Sequence, residues 1–208
     1  MKSVEMRVLE KIEYDRFYHI YNRGINGEQL FRGEDDYSRF LKAYNKYISL
    51  IADTYAWVLL GNHFHLLVRI KNEHEIAPFP PKQNDIIVKK PKPSNQFSHL
   101  FNAYAQYFNK KYSRTGSLFE HPFRRIRVDE QRYFERLVLY IHHNPVKHGF
   151  VTHPLDYSWS SYLSSLSDKA TKIQRDYVLT KFGGKDALER QQNDFASKDG
   201  DEVFEIES

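Results

Sequence analysis

The sequence predicts an α+β fold, one antiparallel sheet with helices packed on one face, and three observations carry that prediction. Runs rich in aromatic and branched residues at 16–24, 55–60, 63–70 and 122–128 alternate with two helical patterns, in the order strand, helix, strand, strand, helix, strand. The runs 55–60 and 63–70 are separated only by Gly61-Asn62, a pair able to take positive φ, so they read as a hairpin. A further helical pattern follows the last strand. The first six elements make a split βαβ, ferredoxin-like plan, to which the third helix is a C-terminal addition.

Taken in order, "RFYHIYNRG" (16–24) is a strand ended by Gly24, with His19 at its middle read as a core histidine. In the next segment Tyr37, Phe40, Leu41, Tyr44, Ile48 and Ile51 recur at helical spacing, and Asp35 and Asp36 place negative charge where a helix start favours it. Residues 71–95 hold five of the eight prolines and read as a surface loop, because proline removes amide donors and fixes φ. Phe97, Leu100, Phe101, Tyr104 and Phe108 then mark a helix; Tyr104, Tyr107 and Tyr112 fit its core stripe or the edge of it. "PFRRIRV" is a short strand. The helix after it carries an apolar stripe of Phe134, Leu137, Val138 and Ile141 and is expected to stop at Asn144, since Pro145 disfavours helical geometry in the residue before it. These elements form one domain over 1–164. Residues 165–208 read as a small helical appendage and an acidic, disordered tail.

Bulk properties narrow the function. A chain of 208 residues with 40% hydrophobic content can bury a sizeable core. It has no cysteine, which excludes disulfides, thiolate metal sites and a cysteine nucleophile. The first residues lack the apolar stretch of a signal peptide, and no apolar run approaches the roughly 18 residues of a membrane span, so a soluble, cytoplasmic protein is expected. The net charge of +4 conceals a split. Residues 185–208 contain three basic and eight acidic residues, net −5, so residues 1–184 carry +9. A basic body of this kind points to a polyanionic partner.

Candidate chemistry begins at "GNHFHLLV". On a strand, His63 and His65 share a face while Phe64 points the other way, so two imidazoles sit at a separation the backbone has already fixed, able to chelate a divalent cation. The same pattern also fits one hydrogen-bonded strand histidine beside one surface histidine. In "YIHHNPVKHGF", Tyr140 and Asn144 are one helical turn apart and can face one site. Asn144 offers a carbonyl oxygen as third ligand. Tyr140 offers a phenol, a poor nucleophile at its free pKa of about 10 but a usable one beside a polarised phosphate.

"GNHFHLLV" followed by "YIHHNPVKHGFV" resembles the HUH-type single-tyrosine transposases, especially the REP-associated branch and its insertion-sequence relatives. "YHIYNRG", "KKYSRTGSLFE" and "YSWSSY" are further family-like stretches, and the resemblance spans about residues 16–162. It implies His63, His65 and Asn144 as ligands of Mg²⁺ or Mn²⁺, with asparagine where many relatives use glutamine. It implies Tyr140 as the nucleophile, which makes the added helix the catalytic one, and a 5′-phosphotyrosine intermediate that a later 3′-hydroxyl resolves. His143, three residues from Tyr140, would either touch the site or contact DNA phosphate.

The implied substrate is single-stranded DNA, beside or within a hairpin, taken by a monomer or homodimer. Between residues 109 and 136 eight basic residues outnumber four acidic ones, and Lys110, Lys111, Arg114, Arg124, Arg125 and Arg127 are placed to line a phosphate track, with Arg23 a further candidate. Phe119 and Phe123 among them would stack on unpaired bases. Two other readings stand beside this one. The first is a domesticated module that binds hairpin nucleic acid without cutting it. The second is a metal-dependent phosphodiesterase using activated water, for which no acidic residue lies beside the histidines in sequence.

Overall fold

The structure is a computed structural model that describes residues 10–80 and 89–197. Four strands, β1 (Phe17–Arg23), β2 (Ala52–Leu60), β3 (His63–Ile70) and β4 (Arg124–Val128), form one antiparallel sheet in the order β2-β3-β1-β4. With α1 (Glu34–Tyr47) between β1 and β2 and α2 (Pro93–Lys111) between β3 and β4, this is the ferredoxin-like arrangement. The helix α3 (Gln131–Lys147) follows, and then α4 (Tyr162–Leu166), α5 (Arg175–Phe182) and α6 (Lys185–Ser197). No helix among the described residues is long and apolar enough to cross a membrane.

Strand alternation assigns the two faces. Tyr18 and Ile20 of β1 and Phe64, Leu66, Val68 and Ile70 of β3 join Phe40 of α1 and Phe97, Leu100, Tyr104 and Phe108 of α2 in one core. Val58, Leu60, Leu67 and Val128 face the other way and meet Phe134, Leu137, Val138 and Ile141 of α3. The added helix therefore covers the face that α1 and α2 leave open. The outer edge of β2 is sealed by the chain after α3. There the Leu59 amide donates to the Trp159 carbonyl (2.9 Å), Ser161 to Trp57 (2.9 Å) and Gln174 to Thr54 (2.7 Å), which removes an edge open to pairing.

Three local features differ from the sequence expectation. Neither Gly61 nor Asn62 adopts positive φ. Gly61 answers a close approach instead: its carbonyl accepts from Leu30 and Phe31 (2.7 and 3.0 Å), and a Cβ there would lie 2.5 Å from the Gln29 side-chain oxygen. The proline-rich segment ends earlier than 95, because Pro93 opens α2 as a first-turn residue whose missing amide costs nothing; residues 81–88 of that segment lie outside the described residues. Finally, α3 runs through Pro145. Its C-terminus is set by Gly149 at φ 70°, with Phe150 donating to the Pro145 carbonyl (2.9 Å) and Gly149 to that of Val146 (2.9 Å). That pair of bonds around a left-handed glycine is a Schellman cap, which fixes the helix end more strongly than the proline does. In the acidic C-terminal region, residues up to 197 form α6 against α3; the tail from 198 onward lies outside the described residues.

One buried charge ties α1 to α2. Asp36, fully buried, accepts from Lys111 Nζ (2.7 Å), Tyr112 Oη (2.7 Å), Tyr107 Oη (3.1 Å) and the Arg32 amide (2.9 Å). Burial by itself pushes this carboxyl up; the four hydrogen bonds outweigh it and hold the group below the usual carboxylate range. We expect Asp36→Asn to cost about 2–3 kcal/mol in urea unfolding at pH 7, the scale of hydrogen bonds to a charged group. Because the folded-state value is depressed, this difference is present above the unfolded carboxylate value of about 3.9 and shrinks as pH falls below it. A gap that persists unchanged into that acid range would contradict the assignment.

Candidate active site

The sheet face turned towards α3 carries a line of imidazoles and phenols. His63 and His65 project from the start of β3, and His19 and Tyr21 from β1, where Tyr21 pairs with His65 and Arg23 with His63. Tyr140 and Asn144 come down from α3, 3% and 1% exposed. The His63 and His65 ring centroids lie 5.3 Å apart, with Tyr140 5.5 Å from His65 and 6.4 Å from His19. Strand parity and one helical turn thus bring together His63, His65, Tyr140 and Asn144.

Hydrogen bonds orient these rings. His63 Nδ1 lies 2.7 Å from Asn62 Oδ1, and His65 Nδ1 lies 3.0 Å from His19 Nε2. The Asn144 amide nitrogen donates back to the Tyr140 carbonyl at 3.2 Å. Its oxygen is buried and lacks a hydrogen bond of good geometry among the described residues, and the side chain sits within hydrogen-bonding reach of His63. A buried carbonyl oxygen beside an imidazole can accept from that ring or ligate a cation, and either partner would compensate its burial. Among the described residues no group of three histidine, cysteine or acidic side chains is arranged for a metal. The donor set at hand is therefore two imidazoles and one amide oxygen, a mixed set that suits hard or borderline divalent ions.

Burial dominates the electrostatics of these rings. Burial pushes His63 down to about 4; His148 and Arg23 push the same way and the Asn144 side chain opposes them. Burial also holds His65 well below its ordinary value, aided by His19, His63, His148 and Lys147. His19 is pushed by burial to about 3. At neutral pH the strand histidines are thus uncharged and able to ligate, with Lys147 and His148 exposed at the helix end beside them. Sequence reasoning missed both. His148 lies with its ring 4.8 Å from His63, and Lys147 Nζ lies 5.6 Å over the Tyr140 ring. The signal was the spacing 140, 144, 147, 148 on one helical face, hidden by the expectation that the helix stops at Asn144.

The other sequence candidates are placed differently. His143 packs its ring 5.7 Å from Phe195 of α6, on the side of α3 that α6 covers. Arg23 stands 3.5 Å from Glu120. Lys111 is paired with Asp36, Arg114 with Glu28 (3.2 Å), and Arg127 with Glu13 (3.0 Å) and Asp129 (2.7 Å). Arg125 donates to the Glu10 carbonyl and lies over the Phe123 ring at 4.8 Å. Lys110 and Arg124 are exposed and form no ion pair among the described residues. Phe119 is 2% exposed, packed on Phe64 and Phe101, so core packing leaves its face closed to a base. Phe123 rests against Phe97 and Phe101. A cavity of about 680 Å³ between α1, β2 and residues 164–173 is lined by Tyr44, Trp57 and Lys172 and contains none of the site residues.

Buried neutral histidines make stability depend on pH. His142, hydrogen-bonded to Ser161 Oγ at 2.9 Å, is also pushed by burial to about 3. Each folded-state value lies below the ordinary 6.5, so between them the unfolded chain binds more protons. Stability is present in full above 6.5 and declines as pH falls towards these values. We expect the urea midpoint of the metal-free protein to drop between pH 7.5 and 5.5, a range above the carboxylates; an unchanged midpoint would show that these rings are not buried neutral.

No family model and no curated protein matches the sequence. Among solved structures, the fold is similar to that of a REP-associated tyrosine transposase bound to a REP hairpin, with TM-score 0.54 and 17% identity, covering 80% of this chain and 94% of that one. A bacterial tRNA(His) guanylyltransferase-like protein in complex with GTP aligns with TM-score 0.41 and 12% identity over 68% of this chain and 67% of its own. The chain thus shares the architecture of the tyrosine transposase over most of the length of both.

Proposed function

We propose that this protein is a single-tyrosine DNA transposase that nicks and rejoins single-stranded DNA at hairpin-bearing sites. The observation that carries the reading is the meeting of His63, His65, Tyr140 and Asn144 between β3 and α3. The shared fold supports it, and the neighbour's own ligand, a REP hairpin, supports hairpin DNA as the partner.

His63, His65 and Asn144 would hold Mg²⁺ or Mn²⁺, which supplies Lewis-acid stabilisation of charge on the scissile phosphate. The Tyr140 oxygen attacks phosphorus in line. The P–O3′ bond breaks, the phenol proton passes to solvent, and the departing 3′-oxygen takes up a proton. The DNA 5′ end is left on Tyr140 as a phosphotyrosine. Attack by another 3′-hydroxyl reverses these bond changes and joins the strands with no external energy source. Lys147, Arg23 and exposed His148 supply donors and positive charge where phosphate charge accumulates. Tyr140 and the histidines belong to the same chain, so one copy contains the whole set.

One observation favours the non-cleaving module instead: Tyr140 is 3% exposed, so its ring must turn outward to meet a phosphate. Incubating the protein with labelled single-stranded hairpin oligonucleotides and Mn²⁺ separates the two readings. We expect a denaturation-resistant protein–DNA adduct that disappears in Tyr140→Phe; binding with no adduct across several hairpins would favour the module, and cleavage surviving in Tyr140→Phe would favour a hydrolase. His63→Ala should abolish cleavage while leaving most DNA binding. Equal loss of both would make His63 a structural residue.

A further inference from the structure

Phe150 is a large apolar side chain held in water. It is 49% exposed, yet its backbone is fixed, since its amide donates to the Pro145 carbonyl at 2.9 Å in the cap that ends α3. Such caps commonly pack the second residue past the helix end against the last turn, a contact that an aliphatic side chain makes equally well. The ring is also braced by a second one. Its centroid lies 5.7 Å from that of Tyr157, and Tyr157 is anchored by donating to the Leu59 carbonyl at 2.7 Å. A braced, outward-facing aromatic ring loses little conformational freedom when a flat partner covers it.

Two separate connections put this ring at the mouth of the candidate site. Its Cζ lies 3.6 Å from where a Cβ of Gly61 would stand. Gly61 is two residues from His63, a Cα span of at most about 7 Å. On the helix side, Phe150 follows His148 by two residues, and the His148 ring lies 4.8 Å from that of His63. The Gln29 side-chain oxygen lies 2.5 Å from the same Gly61 position. An aromatic ring and a hydrogen-bonding amide thus both reach a residue that has no side chain of its own.

We propose that Phe150 is a base-stacking platform: an unpaired base of single-stranded DNA lies on its ring while the adjoining phosphate enters the site between β3 and α3. This deepens the proposed function and rests on its single-stranded DNA substrate. Stacking suits an unpaired strand, because every base has a π face and an aromatic side chain can cover it whatever the sequence. Gln29 offers a donor and an acceptor to the edge of the same base, and exposed Lys147 adds a positive charge for the phosphate. Phe119 and Phe123, the aromatic residues expected from the sequence to take this role, are packed on other rings. Phe150 is the aromatic residue that the fold leaves exposed beside the histidines.

Hairpin oligonucleotides carrying one abasic nucleotide, walked through the unpaired residues, test this by fluorescence anisotropy in EDTA, where metal-dependent cutting is blocked. For the parent protein one unpaired position should be sensitive, its abasic form binding about 5–150-fold more weakly, the range of one stacked base. Phe150→Leu keeps the apolar contact of the cap. It should lose the same factor on intact DNA and nothing further on that abasic DNA, while Phe150→Trp stays within a few-fold of the parent. A leucine variant that binds intact DNA like the parent, or that loses the same factor on intact and abasic DNA alike, overturns the platform. With an iodinated deoxyuridine at the sensitive position, ultraviolet light should join the DNA to Phe150. A crosslink on another element overturns the proposal even if the leucine variant fails to fold. The two readings fail separately. A protein that forms the Tyr140 adduct but shows no coupling at Phe150 loses this inference alone. One that shows the coupling but forms no adduct loses the cleavage reading and keeps the platform, and one that binds no single-stranded DNA loses both.

Discussion

The pleat of β3 is the constraint on which the rest of this structure depends. Its even-numbered residues Phe64, Leu66, Val68 and Ile70 are buried against α1 and α2, while His63 and His65 are turned towards α3. A slip of one residue would exchange the two sets, placing imidazoles in an aromatic core and phenylalanine under the helix. The burial of Phe64 among Phe40, Phe101 and Phe119 therefore fixes the direction of the neighbouring histidines. Packing on one side of the sheet determines chemistry on the other.

Burial has a second effect at the same place. It keeps His19, His63 and His65 uncharged at neutral pH, while exposed Lys147 places a positive charge at the end of α3. The region thus has neutral ring nitrogens inside and a lysine at its mouth. The cations that sequence clustering had grouped around residues 110–127 are largely spent within the fold. Lys111 holds Asp36, Arg114 holds Glu28 and Arg127 holds Glu13 and Asp129. A basic stretch in sequence is not by itself a basic surface.

The same contrast explains what was legible in the sequence. Period-2 and period-3.6 patterns gave the strand and helix order, because each pattern reflects which face is buried. Spacing placed His63 with His65 and Tyr140 with Asn144. Contacts between distant segments were not legible: the approach of Leu30 and Phe31 to Gly61, the bond from His19 to His65, and the packing of His143 on α6 all require the tertiary fold. The end of α3 was misjudged for a local reason. Pro145 is the strong signal in the sequence, whereas the Schellman cap at Gly149 that overrides it depends on bonds to residues beyond the helix.

The bracing of α3 bears on how two copies of this chain could ever share their parts. Its inner face is packed on β2, β3 and β4, while its back is held by α6, where Gln192 donates to the Leu139 carbonyl at 3.1 Å and Phe195 meets His143. The segment leading to α6 is itself stitched to the edge of β2. Lending this helix to a neighbour would open both seams at once, and an exchanged pair would have to remake each of them, the Gln192 bond included, across the two copies. The tyrosine is thus held against its own sheet by the same two seams that hold its helix.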